Sequence, residues 1–222
     1  MSYKFSQILL PTSKYQIKSP YKMTPQYITV HNTANDASAA NEIKYMMNND
    51  KHVSYHVVVD DIEVIQAIPF NRNAWHCGDG HGNGNRKSIS IEICYSKSGG
   101  ARYTAAEENA VQYIASLLKQ YRWGRERIKT HQYWSGKYCP HRILSENRWN
   151  SFLERIAQAT KSIKEQAKMK NSLSLTAKQD LKYLLKETQK RGILKIDHSG
   201  KVDSMTDGEA LGLLISIVKR TI

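Results

Sequence analysis

The hydrophobic and polar positions alternate in four places along the first hundred residues. Tyr27-Ile28-Thr29-Val30-His31 follows Pro25, is rich in β-branched residues and predicts a strand. Ser54 to Val59 predicts another strand, and Asp60-Asp61 turns the chain into Ile62 to Ile68 as a hairpin. The clearest alternation is Ser88-Ile89-Ser90-Ile91-Glu92-Ile93-Cys94, with the isoleucines on one side and Ser90, Glu92 and Cys94 on the other.

A period near 3.6 takes over between and after these strands. Residues 38 to 47 fit a short helix. Thr104-Ala105-Ala106-Glu107 reads as a capping box opening a helix whose stripe is Val111, Ile114, Ala115 and Leu118. Trp149, Phe152, Leu153 and Ile156 mark a further helix. Strands interleaved with helices predict an α/β domain over residues 1–160, a central mixed β-sheet flanked by helices. Residues 161–173 are Lys-rich and read as a helical linker. Residues 174–222 predict a small all-α C-terminal domain. Its first helix starts near Thr176 and shows Leu181, Leu184 and Leu185 on one face. Its last opens on the capping box Thr206-Asp207-Gly208-Glu209 and carries Leu211, Leu214, Ile215 and Val218. About 50 residues make a marginal core, so this unit is expected to pack on another surface, a second copy included as a homodimer.

Charge narrows the partners. The 222 residues carry 33 Lys plus Arg against 20 Asp plus Glu, a net +13, which favours a polyanionic partner: nucleic acid, anionic lipid or an acidic cell wall. The excess is spread along the chain, with no recognisable DNA-reading motif, so nucleic acid is not expected. No apolar run approaches the roughly 18 residues a membrane span needs, and no signal-peptide core opens the chain, so a cytoplasmic site of synthesis is expected. Three cysteines, Cys77, Cys94 and Cys139, are too few for a disulfide framework and leave metal ligation, catalysis or packing open.

His31 ends the first of these strands, and His131 opens the run His131-Gln132-Tyr133-Trp134-Ser135-Gly136-Lys137-Tyr138-Cys139-Pro140. A His and a Cys on a Gly-containing loop closed by Pro can bring imidazole and thiolate to one metal. Two His and one Cys leave a fourth zinc position for water. Glu92 sits on the polar face of an isoleucine strand, where a carboxylate is costly to bury without a partner or a task. Gly78-Asp79-Gly80-His81-Gly82-Asn83-Gly84-Asn85 precedes a strand and does not join a strand to a helix, so it reads as a groove wall and not as a phosphate loop.

Val30-His31-Asn32-Thr33, the strand around Glu92, Trp75-His76-Cys77-Gly78-Asp79-Gly80 and the His131–Pro140 loop together resemble the zinc-dependent N-acetylmuramoyl-L-alanine amidases, which share a fold with peptidoglycan recognition proteins. The resemblance covers residues 20 to 155 and is nearest to endolysins of Bacillus phages and prophages. It implies Zn2+ held by His31, His131 and Cys139, with Glu92 as general base and Lys137 stabilising the oxyanion as the amide between N-acetylmuramic acid and L-alanine is cut. Tyr55, Trp75, His76 and Asn85 match positions near the metal or lining the substrate groove. Family relatives that bind peptidoglycan without cutting it lack the ligand cysteine, and Cys139 is present. The implied partners are bacterial peptidoglycan and its anionic wall polymers. Residues 174–222 resemble small helical C-terminal domains of Bacillus-type amidases, which implies wall binding, and the enzyme is expected to be released from the cytoplasm onto the wall.

Overall fold

The computed structural model describes residues 3–168 and 172–221. Residues 169–171 of the expected linker lie outside the described residues. Contacts divide the chain into two compact units, Met1–Thr160 and Lys161–Ile222.

Unit one is built on a sheet of β1 (Lys4–Gln7), β2 (Tyr27–Asn32), β3 (Val57–Val59), β4 (Glu63–Gln66), β5 (Ser88–Ile93) and β6 (Ile128–Thr130). Their order is β1-β4-β3-β5-β2-β6. Every neighbouring pair is parallel except the β3–β4 hairpin, so the sheet is mixed. The helices are α1 (Tyr15–Lys18), α2 (Ala39–Met47), α3 (Asn83–Lys87), α4 (Gly100–Tyr121), α5 (His131–Ser135), α6 (His141–Ser145) and α7 (Trp149–Lys168), the last of which continues past residue 160, where this unit ends. Helices α2 and α4 pack on β3 and β4, and α3, α5 and α6 meet β2.

The isoleucines of β5 are fully buried, and so are Ser88 and Ser90 on the other side of the strand. Sequence alternation alone predicts a half-wet strand, but a parallel central strand covered on both faces leaves no wet side. Ser90 tolerates this because its hydroxyl accepts the His56 backbone N–H at 2.8 Å. The same bond marks where the expected strand from Ser54 narrows to Val57–Val59: the His56 N–H is taken by a side chain, while its carbonyl accepts the N–H groups of Ala67 and Ile68.

A second expectation is corrected at α4. The helix begins at Gly100, one turn before the Thr104–Glu107 tetrad. Thr104 donates its hydroxyl back to the Gly100 carbonyl at 3.1 Å. Glu107 is buried on the core side, with Oε1 at 2.6 Å from both Arg148 and Arg155. The tetrad has the letters of a capping box but performs two other jobs inside a helix.

Unit two contains α8 (Leu175–Lys190) and α9 (Asp207–Thr221). Ser174 caps α8 by accepting the Ala177 N–H. The box at the start of α9 forms as expected: Thr206 N–H donates to Glu209 at 2.6 Å, and Glu209 N–H donates to the Thr206 hydroxyl at 3.2 Å. Its core gathers Leu181, Leu185, Leu194, Val202, Met205 and Ile217 among others. The expected apolar stripe Leu211, Leu214, Ile215 and Val218 is exposed instead, because α9 turns Ala210 and Ile217 inward. Leu184 likewise sits off the buried face of α8.

Candidate metal centre and groove

The site forms where three parallel strands end. His31 is the penultimate residue of β2, Glu92 lies opposite it on β5, and His131 follows directly after β6. Carboxyl ends of parallel strands are where open α/β sheets place their ligands. Cys139 reaches the same point by a tight return. Thr130 caps α5 by accepting the Tyr133 N–H at 3.0 Å, and α5 stops after one turn at Gly136, which takes φ 78. A side chain there would be strained in the left-handed region, so glycine suits the reversal. The chain doubles back until Gln132 N–H donates to the Cys139 carbonyl at 3.1 Å.

The result is a cluster of three soft donors. His31 Nδ1 lies 3.1 Å from His131 Nδ1 and 3.9 Å from Cys139 Sγ. Tetrahedral zinc with N ligands at about 2.0–2.1 Å and S at about 2.3 Å would separate N from N by about 3.4 Å and N from S by about 3.6 Å. The observed spacings straddle those values.

Hydrogen bonding strengthens the fit. The second nitrogen of each ring is already engaged: His31 Nε2 faces His76 Nδ1 at 2.9 Å, and the His131 ring donates to the Cys77 backbone. Donor protons on those outer nitrogens leave two Nδ1 lone pairs converging with no hydrogen between them, an arrangement that a cation satisfies. Burial holds His31 well below the ordinary histidine range. It also lowers His131 to about 4, with Lys137 acting in the same direction. Neutral imidazole is the ligand form. Burial raises the Cys139 thiol to about 12, partly opposed by the Asn32 backbone N–H, which points at the sulfur from 3.5 Å.

Glu92 Oε1 is 3.9 Å from His31 Nδ1. Burial, aided by the nearby Glu42 carboxylate and opposed by Lys137, pushes Glu92 up to about 8. Lys137, on the loop after α5, borders the groove on both sides of the cluster. Of the sequence candidates, the structure therefore brings His31, His131, Cys139, Glu92 and Lys137 together.

Of the other four, Tyr55 and His76 line the same groove as these five, and Trp75 and Asn85 border its continuation beside His76 and His131. Tyr55 is a largely buried part of the groove wall, and its hydroxyl donates to the Glu42 carbonyl at 2.7 Å and meets the Glu42 carboxylate at 3.1 Å. Burial, with the Glu42 and Glu92 carboxylates, raises its pKa. Trp75 borders the groove with its indole N–H buried and unpaired. His76 lies under His31. Asn85 is spent inside its own loop: its Oδ1 accepts the N–H groups of His76 and Cys77 at 2.8 Å, and its Nδ2 donates to Gly80 at 2.9 Å.

Glu42 escaped the sequence reading. Its signal was an acidic residue inside the Ala39, Ile43, Met46 stripe of α2, which is the stripe that became buried. Cys77 is fully buried and adjacent to His76, its Sγ 3.1 Å from His76 Nδ1, so His31, His76 and Cys77 form a second compact trio. Away from the cluster, a cleft between β6 and α7 is bordered by Arg125, Lys129, Tyr133 and Trp149, and among the described residues no candidate metal cluster falls there.

The family model for N-acetylmuramoyl-L-alanine amidases matches residues 21–142. The chain is similar to the amidase CwlA of Bacillus subtilis (strain 168), at 53% identity over 186 residues, covering 80% of this chain and 68% of that one. It is 60% identical over 151 residues to XlyB of the same organism, covering 68% of this chain and 48% of XlyB. Among solved structures, PlyL aligns with TM-score 0.68 and 57% identity over 69% of this chain and 96% of that one. The solution structure of the PlyG catalytic domain aligns with TM-score 0.68 and 55% identity, over 71% and 95%.

Proposed function

The chain belongs to the N-acetylmuramoyl-L-alanine amidase family, and from that premise we propose that it hydrolyses the amide between the lactyl group of N-acetylmuramic acid and L-alanine of the peptidoglycan stem. The observation carrying this reading is the convergence of His31, His131 and Cys139 at strand ends, with Glu92 and Lys137 facing the same groove.

In this reading His31 Nδ1, His131 Nδ1 and Cys139 Sγ hold a zinc ion. Bound there, zinc supplies Lewis acidity toward the amide carbonyl and makes a water more acidic. Glu92 takes the proton of the attacking water and passes it to the alanine nitrogen as the C–N bond breaks. The surroundings that push Glu92 upward suit both halves of that task, since a base near neutral pKa accepts and returns a proton readily. Lys137 offers its ammonium to the developing oxyanion. Tyr55 acts indirectly, holding the Glu42 carboxylate beside the floor of the groove, while Trp75 and His76 border the groove where the glycan or peptide lies. Asn85 shapes that wall through the backbone of residues 76–80.

We further propose that residues 174–222 bind the cell wall, which the exposed α9 stripe and the independent core support, and that the chain reaches the wall from the cytoplasm. Among the described residues no helix is long and apolar enough to cross a membrane.

Mass analysis of digested walls tests the reaction. Amidase action releases peptides with a free L-alanine amine and leaves glycan strands intact, and a chelator stops it. New reducing sugar ends in place of free alanine would overturn the assignment.

A further inference from the structure

We propose that His76 is a positioning residue, accepting the His31 Nε2 proton and so fixing which His31 nitrogen is free to ligate. The inference rests on the reading of His31, His131 and Cys139 as the metal set.

His31 Nε2 and His76 Nδ1 are 2.9 Å apart, with the rings close to perpendicular at 80°. His31 is 2% exposed and His76 7%, so water is a poor substitute for either partner. A neutral imidazole has one lone pair and one N–H. With His31 Nδ1 turned to His131 and Cys139, the proton must sit on Nε2, and His76 Nδ1 must be the acceptor. His76 Nδ1 also has Cys77 Sγ at 3.1 Å, and the Ser88 backbone is a further partner of the ring.

The loop carrying His76 is braced for this. Asn85 holds the backbone of His76 and Cys77, and the Asp79 carboxylate accepts the N–H groups of Gly84 at 2.7 Å and Asn85 at 3.0 Å. These bonds stay within residues 76–85, so the loop presents the His76 ring as a preset part.

The trio His31, His76 and Cys77 also satisfies the distances of a metal set. It uses His31 Nε2, whereas the groove trio uses Nδ1, so a neutral His31 serves only one of them. The groove trio faces Glu92 and Lys137, whereas Cys77 is sealed from solvent. The second trio is therefore the hydrogen-bonded support of the first. A ligating histidine commonly gives its other N–H to a carboxylate or carbonyl. Here a second imidazole fills that place and adds no charge.

The test is zinc titration of the metal-free full chain against a chromophoric chelator. His76→Leu removes the acceptor and is expected to weaken zinc binding by about 10–100-fold. His76→Asn keeps an acceptor atom near the Nδ1 position and is expected to stay near the unsubstituted value. Nitrogen-15 NMR of the zinc-loaded unsubstituted chain supplies an arm that needs no variant to fold: His31 should carry its proton on Nε2, scalar-coupled across the hydrogen bond to His76 Nδ1. Undiminished zinc affinity in a folded His76→Leu protein, equal weakening by Leu and Asn, or a His31 proton on Nδ1 each overturns the proposal. Failure of the unsubstituted chain to take up zinc overturns instead the metal reading beneath it.

Discussion

Glu92 and His31 stand side by side across the β2–β5 ladder, paired in register, with Glu92 Oε1 3.9 Å from the inward nitrogen of His31. The carboxylate thus stands beside the proposed metal set, the place required of a proton acceptor for water held there. Glu92→Gln keeps shape and removes basicity. It is expected to retain one zinc per chain and to lose about 10²–10⁴-fold in turnover. Turbidity loss of a wall suspension, with zinc measured on the same sample, checks both halves. A variant lysing at the unsubstituted rate would exclude Glu92 as the base.

The two histidine–cysteine trios make opposite demands on the cysteines. If the groove trio is the metal site, Cys139→Ala abolishes tight zinc retention, while Cys77→Ala leaves the stoichiometry at one and alters a buried contact. Elemental analysis after dialysis against a weak chelator separates them. Retention by the Cys139 variant with loss by the Cys77 variant would move the metal to the sealed side of His31.

Glu92 is raised to about 8 by burial first and the Glu42 carboxylate second, with Lys137 opposing. A base works when ionised, so the acid limb of the pH–rate profile follows this group, further lowered by any cation in the metal set. Glu42→Gln removes one charge that raises Glu92, so the acid limb is expected to move to lower pH. Lys137→Met removes the opposing charge and should move it to higher pH, with turnover falling about 10²–10³-fold from loss of the oxyanion partner. Profiles of kcat against pH for the three proteins test the signs.

Much of this was legible in the residues because the chemistry lies close to sequence landmarks. β5 announces itself through Ile89, Ile91 and Ile93, and the one charged residue in that pattern, Glu92, is the residue facing the groove. The Thr206–Glu209 box formed as its letters read. The Thr104–Glu107 box did not, because the chain already turns helical at Gly100 and Glu107 is drawn into pairing with Arg148 and Arg155, partners more than 40 residues distant. Glu42 and the support role of His76 were invisible for a related reason: each depends on what the fold packs beside it. α9 shows the same limit, since a helix apolar on two sides does not say which side turns inward.

Glu107 offers a stability measurement free of the metal. Burial works to raise its pKa, but hydrogen bonds and charge from Arg148 and Arg155 outweigh it and hold the carboxyl below its ordinary range. A depressed folded pKa stabilises above the ordinary unfolded value of about 4.3 and loses that contribution as pH falls through the lower folded value. Glu107→Gln should destabilise by about 1–3 kcal/mol near neutral pH, since the two arginines are partly solvated and rehydrate on losing it. The gap between variant and parent should close as denaturation is repeated at falling pH below about 4. A gap that stays constant through that range would mean that the pair is not ionic.

The last expectation concerns the second unit. Every residue of the proposed reaction lies in Met1–Thr160, while residues 161–222 have their own buried leucines. Reaction and retention on the wall should therefore separate. A chain ending at residue 168, which keeps α7 whole, is expected to cut a small soluble muropeptide at the full-length rate. On intact walls it should bind more weakly by about tenfold or more, since a second attachment raises the effective concentration of the first. Part of that difference should fade with salt, because the net +13 of the full chain attracts anionic polymer over distances that salt screens. Wall sedimentation at two ionic strengths, beside the soluble assay, distinguishes the outcomes. Equal wall binding by both chains would leave residues 174–222 without the wall-binding role, and a fall in the soluble rate would tie them to the reaction itself.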